Sequence, residues 1–501
     1  MNALTRELRM FSDAIEQKNP EKNTGAGDPW RLSYHVMPPV GWLNDPNGLC
    51  QLGGVYHLFF QYSPSNPCGA LKYWGHYVST DLISWEYTGI ALYPDMPYDC
   101  HGVYSGSALV ENDKAYLYYT GNVKLSGDYD YIYNGREGNT ALAVMDKDGT
   151  ISEKTLLLKN TDYPKHLSCH VRDPKVWKEN GRYYMVLGAR TLEDKGCVLV
   201  YDSDDKYSWT LENILEKEKP FGYMWECPDM FVLDGAHILG FSPQGVDQEG
   251  INYANIYQSG YCVLEGDFTG ACELKTFFEY DRGFDFYAPQ TFEDVSGRRI
   301  LIGWMGMADC DYANPTVAHG WQHCMTVPRE LRFKDGRIYQ TPVQELEKLR
   351  QSGQTVNVKK ALTIKVNPAS ELYMDFGKVT EICKEAGTDA DVKPSCEAMK
   401  MVIDGSLILS YNSSEQSFTM AFEDDPNGGN IGYGRTSRKV SLERLKNMRI
   451  LLDTSAIEVY LNDGLEVFSS RMYPQAGQTL SAHTVAFVDG RGELTVWKLE
   501  L

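Results

Sequence analysis

The chain has 501 residues, too many for one ordinary hydrophobic core, so two or three domains are expected. Apolar residues make up 43% and aromatics 12%, with 33 Tyr and 10 Trp. That excludes a disordered chain and suits both strands and surfaces that stack on sugar rings. Lys and Arg number 48 against 68 Asp and Glu, a net charge of −20 without a long basic cluster, so nucleic acid and anionic membranes are poor partners. A neutral substrate fits this balance, whereas an anionic one needs a local basic pocket.

The N-terminus, Met1 to Glu7, is charged and lacks the apolar core of a signal peptide. No run approaches the roughly 18 apolar residues of a membrane helix. The 12 Cys are irregularly spaced, with no C-x-x-C pair, and read as reduced buried thiols rather than a disulfide framework. A soluble, cytoplasmic protein is expected. Leu4, Leu8, Phe11 and Ile15 fall at helical spacing and predict a short amphipathic helix in an N-terminal extension, 1–30, with a loop over 19–29.

Trp42 to Gly48 reads Trp-Leu-Asn-Asp-Pro-Asn-Gly, a carboxylate among amides at a turn. Asp425 to Gly428 repeats the four central letters in a Gly- and Asp-rich loop, so those letters alone signify only a turn. From Asp45 onward a larger pattern recurs: a polar or Pro-marked start, an apolar run, a Gly or Asp turn, and a run rich in Tyr, Leu and Val. It occupies 45–61, 105–121, 172–190, 227–244 and 288–306, with starts about 55 to 67 residues apart. Each copy is a hairpin with room for two more strands before the next. Five such units predict a five-bladed β-propeller over 31–343. A pair of β-sandwiches is the alternative. A sixth, shorter echo over 326–342 is expected to supply a closing strand.

A short helix is predicted over 344–350, within a linker spanning 344–358. Beyond it, short alternating segments with turns such as Asn462-Asp463-Gly464 predict a separate C-terminal β-sandwich over 359–501. Sugar binding, dimerisation and bracing of the propeller all remain open for it. His166 to His170 contains two His and one Cys, but no second clustered pair accompanies them, so no metal is assigned there. No cofactor is expected either.

In a propeller, equivalent starts converge at one end of the central channel. The five units would bring together Asn44 and Asp45, Tyr104 and Ser105, Arg172 and Asp173, then Trp225, Glu226 and Asp229, and finally Asp285, Phe286 and Tyr287. Like charges brought together raise one another's pKa and are costly without a role. Paired carboxylates in an aromatic funnel suit glycoside hydrolysis.

These blocks resemble glycoside hydrolase family 32, the β-fructofuranosidases: invertases, sucrose-6-phosphate hydrolases and fructan hydrolases. The family's W-[LM]-N-D-P-N-G block stands at Trp42 to Gly48 and its W-E-C-P block at Trp225 to Pro228. Its F-S-G-S block appears as Tyr104 to Ser107, and F-R-D-P as Val171 to Pro174, each with the first aromatic altered. Its D-F-Y-A-P-Q block is Asp285 to Gln290, and Ile457 to Gly464 resembles a run of its sandwich domain. The resemblance spans 31–499 and implies a propeller followed by a sandwich.

The resemblance further implies Asp45 as nucleophile, Glu226 as general acid and base, and Asp173 as transition-state stabiliser. Glu226 lies between Trp225 and Cys227, a partly apolar setting that favours the neutral acid, while amides of Asn44 and Asn47 would keep Asp45 ionised. A retaining mechanism places the two carboxyls about 5 to 5.5 Å apart. Asn44, Gln61, Tyr104, Ser105 and Arg172 are expected at the fructosyl unit, with Trp42, Tyr287 and Trp304 lining the pocket and Trp74 either lining it or packing the core.

The expected substrate is sucrose, sucrose 6-phosphate or a short fructo-oligosaccharide. Phosphate preference would draw on Lys72, His76, Lys124, Arg136 or Arg190. An inverting five-bladed glycosidase and a catalytically inactive sugar-binding protein are the rivals, and a homodimer is a further expectation.

Overall fold

Alternating apolar positions and Gly- or Asp-marked turns build antiparallel hairpins throughout the chain. The computed structural model describes residues 2–17, 27–377, 398–424, 429–474 and 480–501, and arranges these hairpins as a five-bladed propeller followed by a sandwich. The second Asp-Pro-Asn-Gly, 425–428, lies outside the described residues, as does most of the loop expected over 19–29.

The inner strands of the blades are Gly41–Leu52, Val103–Glu111, Leu167–Glu179, Met224–Leu233 and Tyr287–Glu293. Each begins a sheet whose remaining strands pair outward, and these first strands pack on one another around the channel. Closure comes from Trp321–Gln322, which runs parallel to Gly41 and Trp42 of blade one. The hairpin expected to close the ring does something else. Arg329–Lys334 and Arg337–Pro342 are the outer strands of blade five, which otherwise has only its first two long strands before the excursion that carries Trp321.

One local device recurs in all five inner strands. The ladder slips between Leu43 and Pro46, Tyr104 and Gly106, Arg172 and Lys175, Glu226 and Asp229, and Tyr287 and Gln290. Such bulges bend a strand and re-aim a side chain. Pro46, Pro174, Pro228 and Pro289 occupy four of them, where no ladder N–H is demanded. Asp173, Cys227 and Ala288 adopt left-handed φ values of +65°, +47° and +47° at three of them. The bulges, four of them at X-Pro steps, are therefore the points at which each blade turns a side chain inward.

The sandwich consists of two six-stranded sheets closed on Met401, Leu409, Phe418, Ile450, Val459 and Phe468. The stretch read as a linker is partly sandwich. A 3-10 helix, Gln344–Leu349, is followed by the strand Gln354–Val358, which pairs with Gly492–Lys498 at the sheet edge. Asn462 and Asp463 both take left-handed φ at the predicted turn, and Gly464 presses on the propeller: a Cβ there would lie 1.7 Å from the Gln340 carbonyl oxygen.

Buried charges join the two domains. Arg329 bonds Glu458 and Asp281, His35 lies between Asp453 and Glu458, and Arg435 grips Asp285 through two bonds of 2.7 and 2.8 Å. Asp285 thus faces the sandwich and not the channel, because its carboxylate compensates a fully buried guanidinium.

The N-terminal helix is Ala3–Gln17, but its buried side differs from the apolar stripe. Thr5 and Ser12 are buried and Glu16 accepts hydrogen bonds from Tyr62 and Tyr87, whereas Leu4 and Phe11 are exposed. Polar anchors on blade one set its rotation more strongly than Leu4 and Phe11 do. Among the described residues no helix is long and apolar enough to cross a membrane, and ten cysteines are free, with Cys68 and Cys100 exposed.

Candidate active site

The bulges bring three carboxylates to one place. Asp45 is half-buried, and its Oδ2 accepts a 2.5 Å bond from Ser105 Oγ of the neighbouring blade. Its Oδ1 accepts from Asn44 Nδ2 at 3.0 Å. Burial pushes the Asp45 carboxyl upward, Ser105 and Asn44 pull it back, and the Glu226 charge adds to the rise. Asn47 does not serve as a second carboxyl donor. Its amide bonds the Asp45 carbonyl, and its Oδ1 accepts from the Gly106 N–H, so it fixes the loop to blade two.

Asp173 is buried, with Oδ2 accepting the Cys227 N–H at 2.9 Å and its own N–H donating to Thr120. Burial pushes its carboxyl up to about 7 against the pull of Arg172, and Glu226 reinforces the rise. Cys227 was not anticipated as a site residue. Its thiol lies 3.8 Å from Asp45 Oδ2 and 3.7 Å from Asp173 Oδ2, a weak donor between two carboxylates, and burial beside them raises it well above its ordinary value. Its position directly after Glu226 was the available signal.

Glu226 is held differently from the sequence expectation. Adjacent strand residues face opposite sides, so Trp225 points away and stacks on Phe241 at 4.2 Å in the blade core. Glu226 instead meets polar neighbours. Oε1 accepts from Arg172 Nη2 at 2.7 Å and Nε at 3.2 Å, and Oε2 accepts from Tyr287 at 2.6 Å. Arg172 also stands 3.8 Å from Asp173 and so connects both acids.

An aromatic wall continues the site. Trp42 Nε1 donates to Asn44 Oδ1 at 2.7 Å, and the Trp42 ring lies 5.8 Å from Trp304 and 4.5 Å from His323. Trp304 packs edge-on to Tyr287 at 6.2 Å. Lys72, a phosphate candidate by sequence, donates to Asn44 Oδ1 at 3.0 Å and sits 4.9 Å from the Trp42 ring. Burial pulls it down to about 7, partly resisted by Asp45.

Other expected contacts lie elsewhere. Trp74 is fully buried against Phe59 and Tyr119, its Nε1 on the Tyr104 carbonyl, so it packs the joint between blades and cannot touch a substrate. Gln61 is buried with its amide on the Val103 carbonyl, a latch behind the pocket rather than a wall of it. Tyr104 is half-buried beside Gly102. Asp229 pairs with Lys175 at 3.0 Å, deeper in the channel. His76 stacks on Phe59 at 4.1 Å and bonds His57, at the edge of a separate cavity of about 910 Å³ that contains none of the three carboxylates.

Residues 35–342 match the model of the Glycosyl hydrolases family 32 N-terminal domain, and 345–500 match its C-terminal counterpart. The chain belongs to glycoside hydrolase family 32. This family 32 chain is 36% identical to the sucrose-6-phosphate hydrolase of Bacillus subtilis (strain 168), over 100% of each protein. It is also 36% identical to the raffinose invertase of Escherichia coli, over 94% of this chain and 95% of that protein. Among solved structures it resembles the sucrose-6-phosphate hydrolase of Lactobacillus gasseri, with a TM-score of 0.85, 28% identity and coverage of 97% and 96%. A mutant Bombyx mori β-fructofuranosidase in complex with sucrose gives a TM-score of 0.82 and 28% identity, covering 100% and 99%.

Proposed function

We propose that this family 32 enzyme removes the terminal β-D-fructofuranosyl unit from sucrose or sucrose 6-phosphate with retention of configuration. The observation that carries the reading is the meeting of Asp45, Asp173 and Glu226 at bulges of the inner strands of blades one, three and four. Asp45 attacks the anomeric C2 while Glu226 gives its proton to the departing glucosyl oxygen, forming a covalent fructosyl ester and a free sugar. Glu226 then takes a proton from water, whose oxygen attacks C2 and releases Asp45. Asp173 accepts hydrogen bonds from fructosyl hydroxyls, and its negative charge favours the oxocarbenium-like transition state.

Asn44 and Ser105 hold Asp45, Arg172 and Tyr287 hold Glu226, and Trp42 and Trp304 wall the sugar. Relatives named sucrose-6-phosphate hydrolase and raffinose invertase support a short fructoside over a long fructan. A phosphorylated sugar is made inside cells, which supports a cytoplasmic location. A homodimer through the sandwich remains an expectation that light scattering tests.

The deciding experiment measures kcat/KM on sucrose, sucrose 6-phosphate and kestose and follows the first-formed fructose anomer by NMR. β-Fructofuranose appearing first supports retention. The α anomer first would replace this mechanism with an inverting one, and sugar binding without turnover would leave only a binding protein.

A further inference from the structure

A basic cluster at the rim of blades two and three takes no part in the hydrolytic steps. Arg136 opens the strand Arg136–Asp146, and its guanidinium makes no ion pair among the described residues. Its Nη1 lies 3.1 Å from His170 Nε2, which also lies 3.1 Å from the Tyr131 carbonyl oxygen. Among the described residues, Arg136 Nε and His170 Nδ1 are buried without hydrogen-bond partners.

The tautomer cannot cure this. With the proton on Nε2, His170 donates to Tyr131 and the facing Arg136 N–H loses its acceptor. With the proton on Nδ1, Arg136 is accepted but a buried Nδ1–H points at nothing. Either way the pair holds surplus donors in a partly buried place, which is costly unless an acceptor arrives.

The surroundings specify the acceptor. Lys124 pairs with Arg136 across the ladder and lies 5.3 Å from the Tyr131 ring. His170 and Arg172 are two residues apart on one strand and share a face, and Arg172 touches Glu226. Arg136 feels the charges of Arg172 and Glu226. Burial, Arg172 and Arg136 pull His170 down to about 2, so the ring is a neutral donor among cations. An acceptor seated here must be strongly anionic, with several oxygens, and must lie next to the proposed proton donor. That is the side on which the leaving sugar departs.

We infer that Arg136, His170 and Lys124 bind the phosphate of a phosphorylated leaving sugar, and thereby select sucrose 6-phosphate over sucrose. The inference rests on the proposed fructosidase reading. A planar guanidinium offers paired N–H donors that match phosphate oxygens, with Lys124 as a second charge. Lys72 lies by Asn44 and His76 at the separate cavity, so neither belongs to this cluster. Arg190 stands on its edge, already paired with Asp194 at 2.7 Å.

The test compares the full chain with Arg136→Gln and Arg136→Lys on sucrose and sucrose 6-phosphate, and measures inhibition by glucose 6-phosphate and by glucose. Arg136→Gln should lower kcat/KM for sucrose 6-phosphate at least about tenfold, the value of one charge-assisted hydrogen bond, and leave sucrose within about threefold. Inhibition by glucose 6-phosphate should weaken in parallel, inhibition by glucose should not, and Arg136→Lys should restore part of the preference. An unchanged substrate ratio in Arg136→Gln overturns the phosphate site, as does an equal loss on both substrates that Arg136→Lys does not relieve. A wild-type enzyme that cleaves sucrose without favouring its phosphate also overturns it and leaves the fructosidase reading standing. Failure to cleave any fructoside overturns that reading itself.

Discussion

Ser105 Oγ of blade two donates a 2.5 Å hydrogen bond to Asp45 Oδ2 of blade one, so the proposed nucleophile is positioned by a neighbouring repeat as well as by its own. Asp45→Ala should lower kcat on sucrose by about 10³-fold or more with the fold retained, because it removes the proposed nucleophile. Ser105→Ala should cost about 10- to 150-fold in kcat/KM, the range of a hydrogen bond to a charged group. Steady-state kinetics with circular dichroism as the folding control decides it. A fully active Asp45→Ala would end the assignment.

Glu226→Gln removes the proton that the leaving oxygen needs but keeps acceptors and donors near Arg172 and Tyr287. Its kcat on sucrose should fall by orders of magnitude. On an aryl β-fructofuranoside, whose phenolate departs without protonation, the first step should be much less affected and the fructosyl intermediate should accumulate. A burst of phenolate is the expected signal. Equal losses on both substrates would argue that Glu226 has another task.

Asp45, Asp173 and Glu226 were legible in the sequence because each stands at an X-Pro step, or one residue before it, in a repeated hairpin. Those steps are the bulges that turn side chains inward. Asp285 was grouped with them as a start of the fifth unit, yet it precedes that unit's bulge and faces Arg435 across 150 residues of chain, a pairing no local pattern encodes. Trp74 and Trp304 look alike as strand tryptophans, and only packing places one between blades and the other beside Trp42 and Tyr287. Lys72 joined the site through Asn44, a contact that depends on how the third strand of blade one returns past the first. The helix at Ala3–Gln17 was legible as a helix, but its buried face was set by Tyr62 and Tyr87, far along the chain.

Lys72 and Trp42 both donate to Asn44 Oδ1, which leaves Asn44 Nδ2 facing Asp45. Lys72→Met should therefore cost about tenfold in kcat/KM by loosening that amide. The pH profile carries the sharper expectation. With Lys72 pulled down to about 7 by burial, its ammonium is present below that pH and lost above it. The wild-type kcat/KM on sucrose should decline on the alkaline side from about pH 7, and the Lys72→Met profile should be flatter there. An identical alkaline limb in both enzymes would remove Lys72 from the positioning of Asp45.

His35 links propeller and sandwich with both ring nitrogens on carboxylates, Nδ1 at 3.0 Å from Asp453 and Nε2 at 3.1 Å from Glu458. Burial opposes its charge, but the two carboxylates prevail and push it up to about 8, while the Asp453 carboxyl lies below its ordinary value and Glu458 falls to about 2. The His35 contribution is complete below the unfolded value near 6.5 and is lost as pH rises through about 8, on the order of 2 kcal/mol. The Asp453 and Glu458 contributions run the other way, present above the unfolded carboxylate range and lost as pH falls toward 2. The wild-type melting temperature should thus drop between pH 6 and 9. His35→Leu leaves two buried carboxylates short of a partner and should cost about 3 to 5 kcal/mol at pH 6, with much of the alkaline dependence gone. Thermal melts of both proteins across pH 5 to 9 measure it, and parallel curves would show that the charge of His35 does not hold the domains together.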